Sequence, residues 1–456
     1  MPEGKVNPWL AQKLSKTQSP SRLNLIIETV PDRVDAVAED LQKITKIKIE
    51  PPRASWGRFL PISCPIDFIP KLLEFPYVKE VNYDMPKTIG RFSLFDPLIG
   101  EMQISKIEVP GTPLSTLALA PLAPISRALD FSKPGFEFIP TSKTREIMFA
   151  PDDNTISTKV AVLDTGGLLP IHPLASRLIT PPETVILEPP FDMLGHGTHC
   201  LTSAFVGTAN TRFGKVRSVA DAINCLSVKC LNFEGFGSTS DVLRAQQLAY
   251  DWGAKVVNMS LGGPIQGSAI HDDPNCKIIN ETGDEVFWVV AAGNEGIPWS
   301  IGSPGAAPKA LTVGSFSPKY GDVAAFSSRG PNGEFYYENQ DVWLRDYQEV
   351  GEDMIKPDVL APGGGPSTLG ETPIDIIYSG VQGWADGEYD LSPGDGFDGM
   401  RGSSMGSAAA AGLCALLHEK KGVANVSEIK SVMRQHWAGA KDIARGYGLL
   451  RYDYFN

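Results

Sequence analysis

Positive charge is in short supply in this 456-residue chain: 41 Lys and Arg face 53 Asp and Glu, leaving a net charge of −12. That balance argues against a nucleic acid or an anionic membrane as partner, since either would want a basic face. Long apolar runs are missing as well. No stretch reaches the roughly 18 consecutive apolar residues of a membrane span. The opening MPEGKVNPWLAQKLSKTQSP is polar and has no signal-peptide core. A cytoplasmic location is therefore expected ahead of export by a non-standard route. Cysteine is sparse too. Cys64, Cys200, Cys225, Cys230, Cys276 and Cys414 show no disulfide-framework spacing and no CxxC pair, so buried thiols are expected rather than bridges or a metal site. What is present, 42% hydrophobic and 21% charged residues, suits a globular chain with a sizeable core.

The texture changes along the chain. Residues 1–20 read as a flexible tail. Residues 21–85 carry RLNLIIETV, a helical stretch with Val34, Val37, Leu41 and Ile44 on one face, and strand candidates at 47–50 and 57–63. A short helix near 66–74 and the strand VKEVNY follow. Strand, helix, strand, strand, helix, strand is the split β-α-β plan of a small α+β, ferredoxin-like domain. Residues 86–157 are Pro-rich and weakly periodic, as expected of a linker or extended arm. From 158 to 456, short apolar strands (KVAVLD, INCLSVKCL, KVVNMSL, VFWVVAAG, KALTVGS) alternate with helical stretches beginning near His196, Ser240 and Ser404. That alternation predicts an α/β domain with a mostly parallel, doubly wound sheet and helices on both faces. Chemistry in such sheets gathers at the carboxyl ends of the strands. Asp164, Ser260 and Asn294 each close a strand there.

Three segments supply a carboxylate, an imidazole and a hydroxyl in settings that aim them: VAVLDTGG at Asp164, GHGTHC at His196, and RGSSMGSAAAAG at Ser404. A serine hydroxyl is a poor nucleophile unless a base takes its proton, and the base needs a third group to fix its tautomer. Each residue also has an ordinary structural reading. Asp164 could close a turn, and Ser404 could cap a helix. His199, a helical turn beyond His196, is the structural histidine of the pair. The conjunction of the three points to acyl transfer by Ser404, with backbone N–H groups at a helix start available to an oxyanion.

These motifs do not stand alone. Lys159 to Gly166, Gly195 to His199, Val257-Asn258-Met259-Ser260-Leu261-Gly262-Gly263 and Ala291-Ala292-Gly293-Asn294-Glu295-Gly296 follow in order. Ser303-Pro304-Gly305, Phe326 to Pro331, Lys356 to Gly363 and Gly402-Ser403-Ser404-Met405 complete the series. Together they resemble the subtilisin family of serine proteases. The resemblance implies a subtilisin-like fold and a serine endopeptidase acting on polypeptides. Ser404 would be its nucleophile, His196 the base and Asp164 the group orienting it. Asn294 would be the oxyanion-hole side chain. Ser260-Leu261-Gly262 and Gly235-Phe236-Gly237 would flank an extended substrate, and Ala291-Ala292-Gly293 would wall the main specificity pocket. Residues 21–85 resemble the family's propeptide domain by plan and position, which implies an intramolecular inhibitor and folding aid removed by autoprocessing.

The sequence departs from the family pattern at Ser403, where Thr is usual, and at Gly406-Ser407-Ala408, which lacks the usual Pro. Residues 332–355 and 366–398 read as insertions near the cleft. The chemistry requires no cofactor. Structural calcium is common in the family, but Asp152-Asp153, Asp272-Asp273 and Asp395 to Asp398 show no ligand spacing that sets them apart from solvated loops. Gly402 to Gly406 also fits the G-x-S-x-G elbow of α/β-hydrolase esterases. That fold places its acid and histidine after the serine, and here no Asp lies between Ser404 and His418 or His436. A catalytically silent binding scaffold is the other alternative; such a scaffold would have no need of Asp164, His196, Asn294 and Ser404 together.

Overall fold

A computed structural model describes residues 5–7, 10, 11, 14, 23–31, 33–45, 58–89, 136–368, 371–385 and 394–456. Its centre is an eight-stranded sheet. The strands run in the order Asp322–Val323, Leu311–Ser317, Phe287–Ala291, Val256–Met259, Val160–Asp164, Cys225–Lys229 and Glu183–Thr184, with Val359–Pro362 pairing to Leu311–Ser317. All pair in parallel except the edge strand Asp322–Val323. These strands read as continuous apolar runs because both faces are covered. Val160 and Val162 enter one apolar cluster, Ala161 and Leu163 the other. Cys225 and Cys230 likewise fall into opposite clusters, and all six cysteines are buried thiols.

One face carries the helices His196–Ala204 and Ser403–Lys421, the other Thr239–Trp252 and Pro274–Thr282. Ser403–Lys421 is buried along every residue from Ser403 to Leu417, which is why its sequence, MGSAAAAGLCALL, has no polar stripe. Small residues let it sit close to its neighbours. A Cβ on Gly412 would lie 2.6 Å from the Ala204 carbonyl oxygen. The helix Thr239–Trp252 starts on a capping box, Ser238 and Asp241 each bonding the other's backbone N–H.

The smaller unit contains a three-stranded antiparallel sheet, Phe59–Cys64, Leu23–Thr29 and Val78–Tyr83 in that order. The helix Val34–Thr45 covers one face, where Leu25, Ile27, Val37, Leu41, Leu60 and Val81 form a separate core. The opposite face presents Ile26 and Phe59 to the apolar cluster of the large body. Polar ties reinforce that contact. Lys277 Nζ lies 2.7 Å from Glu28 and 2.8 Å from Glu80, and Ser240 donates its N–H and hydroxyl to Asp84 at 2.9 and 2.8 Å. The strand expected at 47–50 and most of the expected tail at 1–20 lie outside the described residues.

Of the 86–157 segment, expected as a linker or extended arm, residues 90–135 lie outside the described residues, and the rest carries short elements. Pro86–Thr88 and Phe136–Pro140 are strands, Thr141–Ile147 is a helix, and Thr155–Ile156 pairs with Asp221–Ala222. Phe136–Pro140 joins the strands Ile374–Gly380 and Phe397–Met400 in a second three-stranded sheet. These pieces are too short to show a period by themselves, and they are ordered by strands distant in sequence. The insertion at 332–355 is mainly helical, Glu334–Glu338 and Gln340–Val350. It is anchored by buried Tyr336, whose hydroxyl bonds Asp346 at 2.7 Å.

Candidate active site

Asp164 ends its strand at the carboxyl edge of the sheet, fully buried. Its Oδ1 stands 2.7 Å from His196 Nδ1 and accepts the Thr165 N–H at 2.7 Å. His196 opens its helix directly after Gly195, whose φ of 105° and lack of a side chain admit the turn; a Cβ there would come 2.5 Å from the Gln382 carbonyl. The Asp164 contact engages Nδ1 and leaves Nε2 as the imidazole nitrogen available to a reacting group. His199 points away from the pair. Its Nε2 meets the Ile377 carbonyl at 2.8 Å, and full burial pulls its pKa down to about 3. It is a neutral structural histidine.

Ser404 lies in the first turn of the helix Ser403–Lys421, almost wholly buried. Its hydroxyl donates to the Ser260 carbonyl at 3.4 Å and makes no hydrogen bond to His196. The Ser260 hydroxyl in turn donates to the Ser404 carbonyl at 2.9 Å, pinning the nucleophile's turn to the edge strand. Asn294 closes the crevice. Its Oδ1 accepts the Ser403 N–H at 2.8 Å and the Ser403 hydroxyl at 3.1 Å. With the carbonyl oxygen so engaged, Nδ2 is the end left to donate elsewhere. A carbon built on Gly402 would lie 3.5 Å from that Nδ2 and 3.7 Å from Ser404 N, so the two donors border one space. A pocket beside Ser404 is lined in part by Leu261, Ala291, Ala292, Gly293 and Asn294.

Two further residues stand against this group. Asp192, fully buried, braces the imidazole's turn. Its Oδ1 accepts from Thr165 Oγ1, Leu194 N and Gly195 N at 2.8–2.9 Å, its Oδ2 from Thr198 N and Oγ1 at 2.8 Å. The signal was there to use: an Asp three residues ahead of a helix-opening Gly is a cap candidate. Cys200 is the second. Its sulfur and the nearest atoms of Asp164 and His196 lie within 4.8 Å of one another, the sole such group of three among the described residues. It sits one helical turn from His196, a spacing that puts both on one face. Burial drives its thiol pKa far up, so it stands there as a neutral thiol. Of the acidic clusters weighed for calcium, Asp153 is tied to Lys420 at 2.6 Å and Asp273 caps the helix Pro274–Thr282.

The crevice is filled by the chain itself. Pro86–Thr88 pairs antiparallel with Phe236–Ser238 on one side and through Thr88 with Gly262 on the other. Thr88 N donates to Gly262 O at 2.9 Å, Gly262 N to Thr88 O at 2.8 Å, and Ile89 N to Gly235 O at 3.4 Å. Ile89 borders the same pocket as Ser404. An extended segment of this chain thus lies between Phe236–Ser238 and Gly262.

The model of the subtilase family matches residues 156–449. The serine protease AprX of Bacillus subtilis is 29% identical over 60% of this chain and 60% of its own length. Pyrolysin of Pyrococcus furiosus is 31% identical over 46% of this chain and 14% of its own, and alkaline protease 1 of Aspergillus clavatus 39% identical over 42% and 49%. The chain spans less than two thirds of the length of each of these relatives.

Proposed function

The chain belongs to the subtilase family, and on that premise we propose that it is a serine endopeptidase held in check by its own N-terminal unit. Ser404 Oγ attacks the scissile carbonyl, passing its proton to His196 Nε2. Asp164 holds the imidazole's tautomer and stabilises the imidazolium. The oxyanion is received by Asn294 Nδ2 and the Ser404 N–H. His196 then protonates the leaving amine, and water releases the acyl group by the same steps in reverse. Substrate enters as an added strand between Gly235-Phe236-Gly237 and Ser260-Leu261-Gly262.

The observation that carries this reading is the strand Pro86–Thr88, an extended polypeptide hydrogen-bonded on both edges beside Ser404. A site built for a compact ester has no use for two peptide-binding edges. In the closed state the Ser404 hydroxyl rests on the Ser260 carbonyl, and the attack requires it to turn toward Nε2. Ser404→Ala tests the assignment: casein hydrolysis and fluorophosphonate labelling are both expected to vanish, and labelling that survives would overturn it. Full-length protein is further expected to show a cut between about 84 and 157 that the Ser404→Ala chain lacks. An uncut chain with full activity would refute the inhibitory role of the N-terminal unit.

A further inference from the structure

Lys87 is completely buried in the middle of the strand that fills the crevice. Its neighbours in that strand face the other way, because successive side chains of an extended segment alternate. Lys87 pairs opposite Gly237 and turns into the protein body. Its stem lies against Gly263, with Cδ 3.0 Å from where a Cβ on that glycine would stand, so any side chain there would fill the recess. Its Nζ reaches the Ser303 carbonyl at 3.4 Å. Behind that contact sits Asp273, fully buried, accepting the Ser303 hydroxyl at 2.7 Å, Cys276 N at 3.0 Å and Gln266 N at 3.0 Å. The recess is therefore a glycine-floored channel with acceptors and a carboxylate at its end.

We infer that this recess is a specificity subsite for a basic side chain, so that polypeptides bound in the crevice are selected for lysine two residues ahead of the one standing where Ile89 stands. The inference rests on the endopeptidase reading and adds the substrate class to it. Burial by itself pulls the Lys87 pKa down, and the Asp273 carboxylate is the largest influence pushing it back up. An uncharged chain of the same length would fill the channel but give the Ser303 carbonyl no donor and the buried Asp273 carboxylate no opposing charge, which is the costly arrangement.

The test uses the full chain and five-residue amides of the sequence Met85 to Ile89, with lysine, norleucine, glutamine or glutamate at the position of Lys87. Each is measured as a competitive inhibitor of casein hydrolysis. The strand already in the crevice scales every inhibition constant alike, so their ratios are unaffected by it. The lysine peptide is expected to bind roughly 10- to 100-fold more tightly than norleucine, the scale of a buried hydrogen bond donated by a charged group, with glutamate weakest. Asp273→Asn is expected to shrink the lysine-to-norleucine ratio toward unity. Casein hydrolysis with norleucine binding as well as lysine overturns the inference and leaves the endopeptidase reading standing. Absence of casein hydrolysis would instead sink that reading. Because Asp273 also caps a helix, the peptide series on the unaltered chain decides the matter even if the variant fails to fold.

Discussion

Replacing Asp192 by Asn should damage the site without touching any residue of the proposed reaction. The carboxylate accepts from Thr165, Leu194, Gly195 and twice from Thr198. An amide keeps one acceptor oxygen. Its least costly orientation keeps that oxygen on Thr165, Leu194 and Gly195 and turns the NH2 toward Thr198. The Thr198 hydroxyl can rotate to accept, but the Thr198 N–H then faces another donor. One orphaned buried amide costs about 1–3 kcal/mol, and exchanging charged for neutral bonds at the other donors removes a further part. A loss of about 2–4 kcal/mol results, a large fraction of the roughly 5–15 kcal/mol that stabilises a domain. Because Gly195 and Thr198 bracket His196, the imidazole should shift as well, and a displacement near 1 Å costs about 100-fold in rate. Urea unfolding of Asp192→Asn on the Ser404→Ala background, where proteolysis cannot interfere, measures the first effect. Casein kcat/KM in the active background measures the second. A stability change below about 0.5 kcal/mol, or a full loss of stability with unchanged kcat/KM, would refute the reasoning.

Asn294→Leu should lower kcat with little change in KM, by about 100–1,000-fold, the loss subtilisin shows without its own side-chain oxyanion donor; steady-state kinetics on a peptide amide would check it. Burial raises the Asp84 carboxyl pKa to about 6 where it caps the helix Thr239–Trp252. The docked unit therefore takes up a proton as pH falls through about 6, before the undocked one does, and docking tightens at low pH and weakens as pH rises through that value. Asp84→Asn should lose this component, so between pH 7 and pH 5 the wild type should lose more casein activity than the variant; parallel profiles would count against it.

The large sheet was legible because its strands are buried on both faces: VAVLD and FWVVA are apolar at every position that matters, and no tertiary information is needed to see them. Asp164, His196 and Ser404 were legible for a different reason. Small residues around each, Gly166, Gly195, Gly197 and Gly402, mark places where the backbone must come close to something. Asp192 offered no such frame. It lies in PPFDMLG, where an aspartate reads as loop, and its role appears only when five donors converge on it. Lys87 was illegible in principle. A three-residue strand has no period, and its partners, Gly237 and Gly262, lie far along the chain.

The strand Pro86–Thr88 reaches the crevice without diffusing to it. Joined to a folded unit already packed on the large body, it acts at an effective concentration on the order of millimolar. A segment with an intrinsic dissociation constant of about 0.1 mM would then occupy roughly nine crevices in ten, although the same peptide added free at micromolar levels would scarcely compete. Its hold is thus a property of connectivity more than of contact strength. Severing the chain beyond Ile89 would leave every hydrogen bond in place and make occupancy depend on how tightly the folded unit, with its strand, holds the large body.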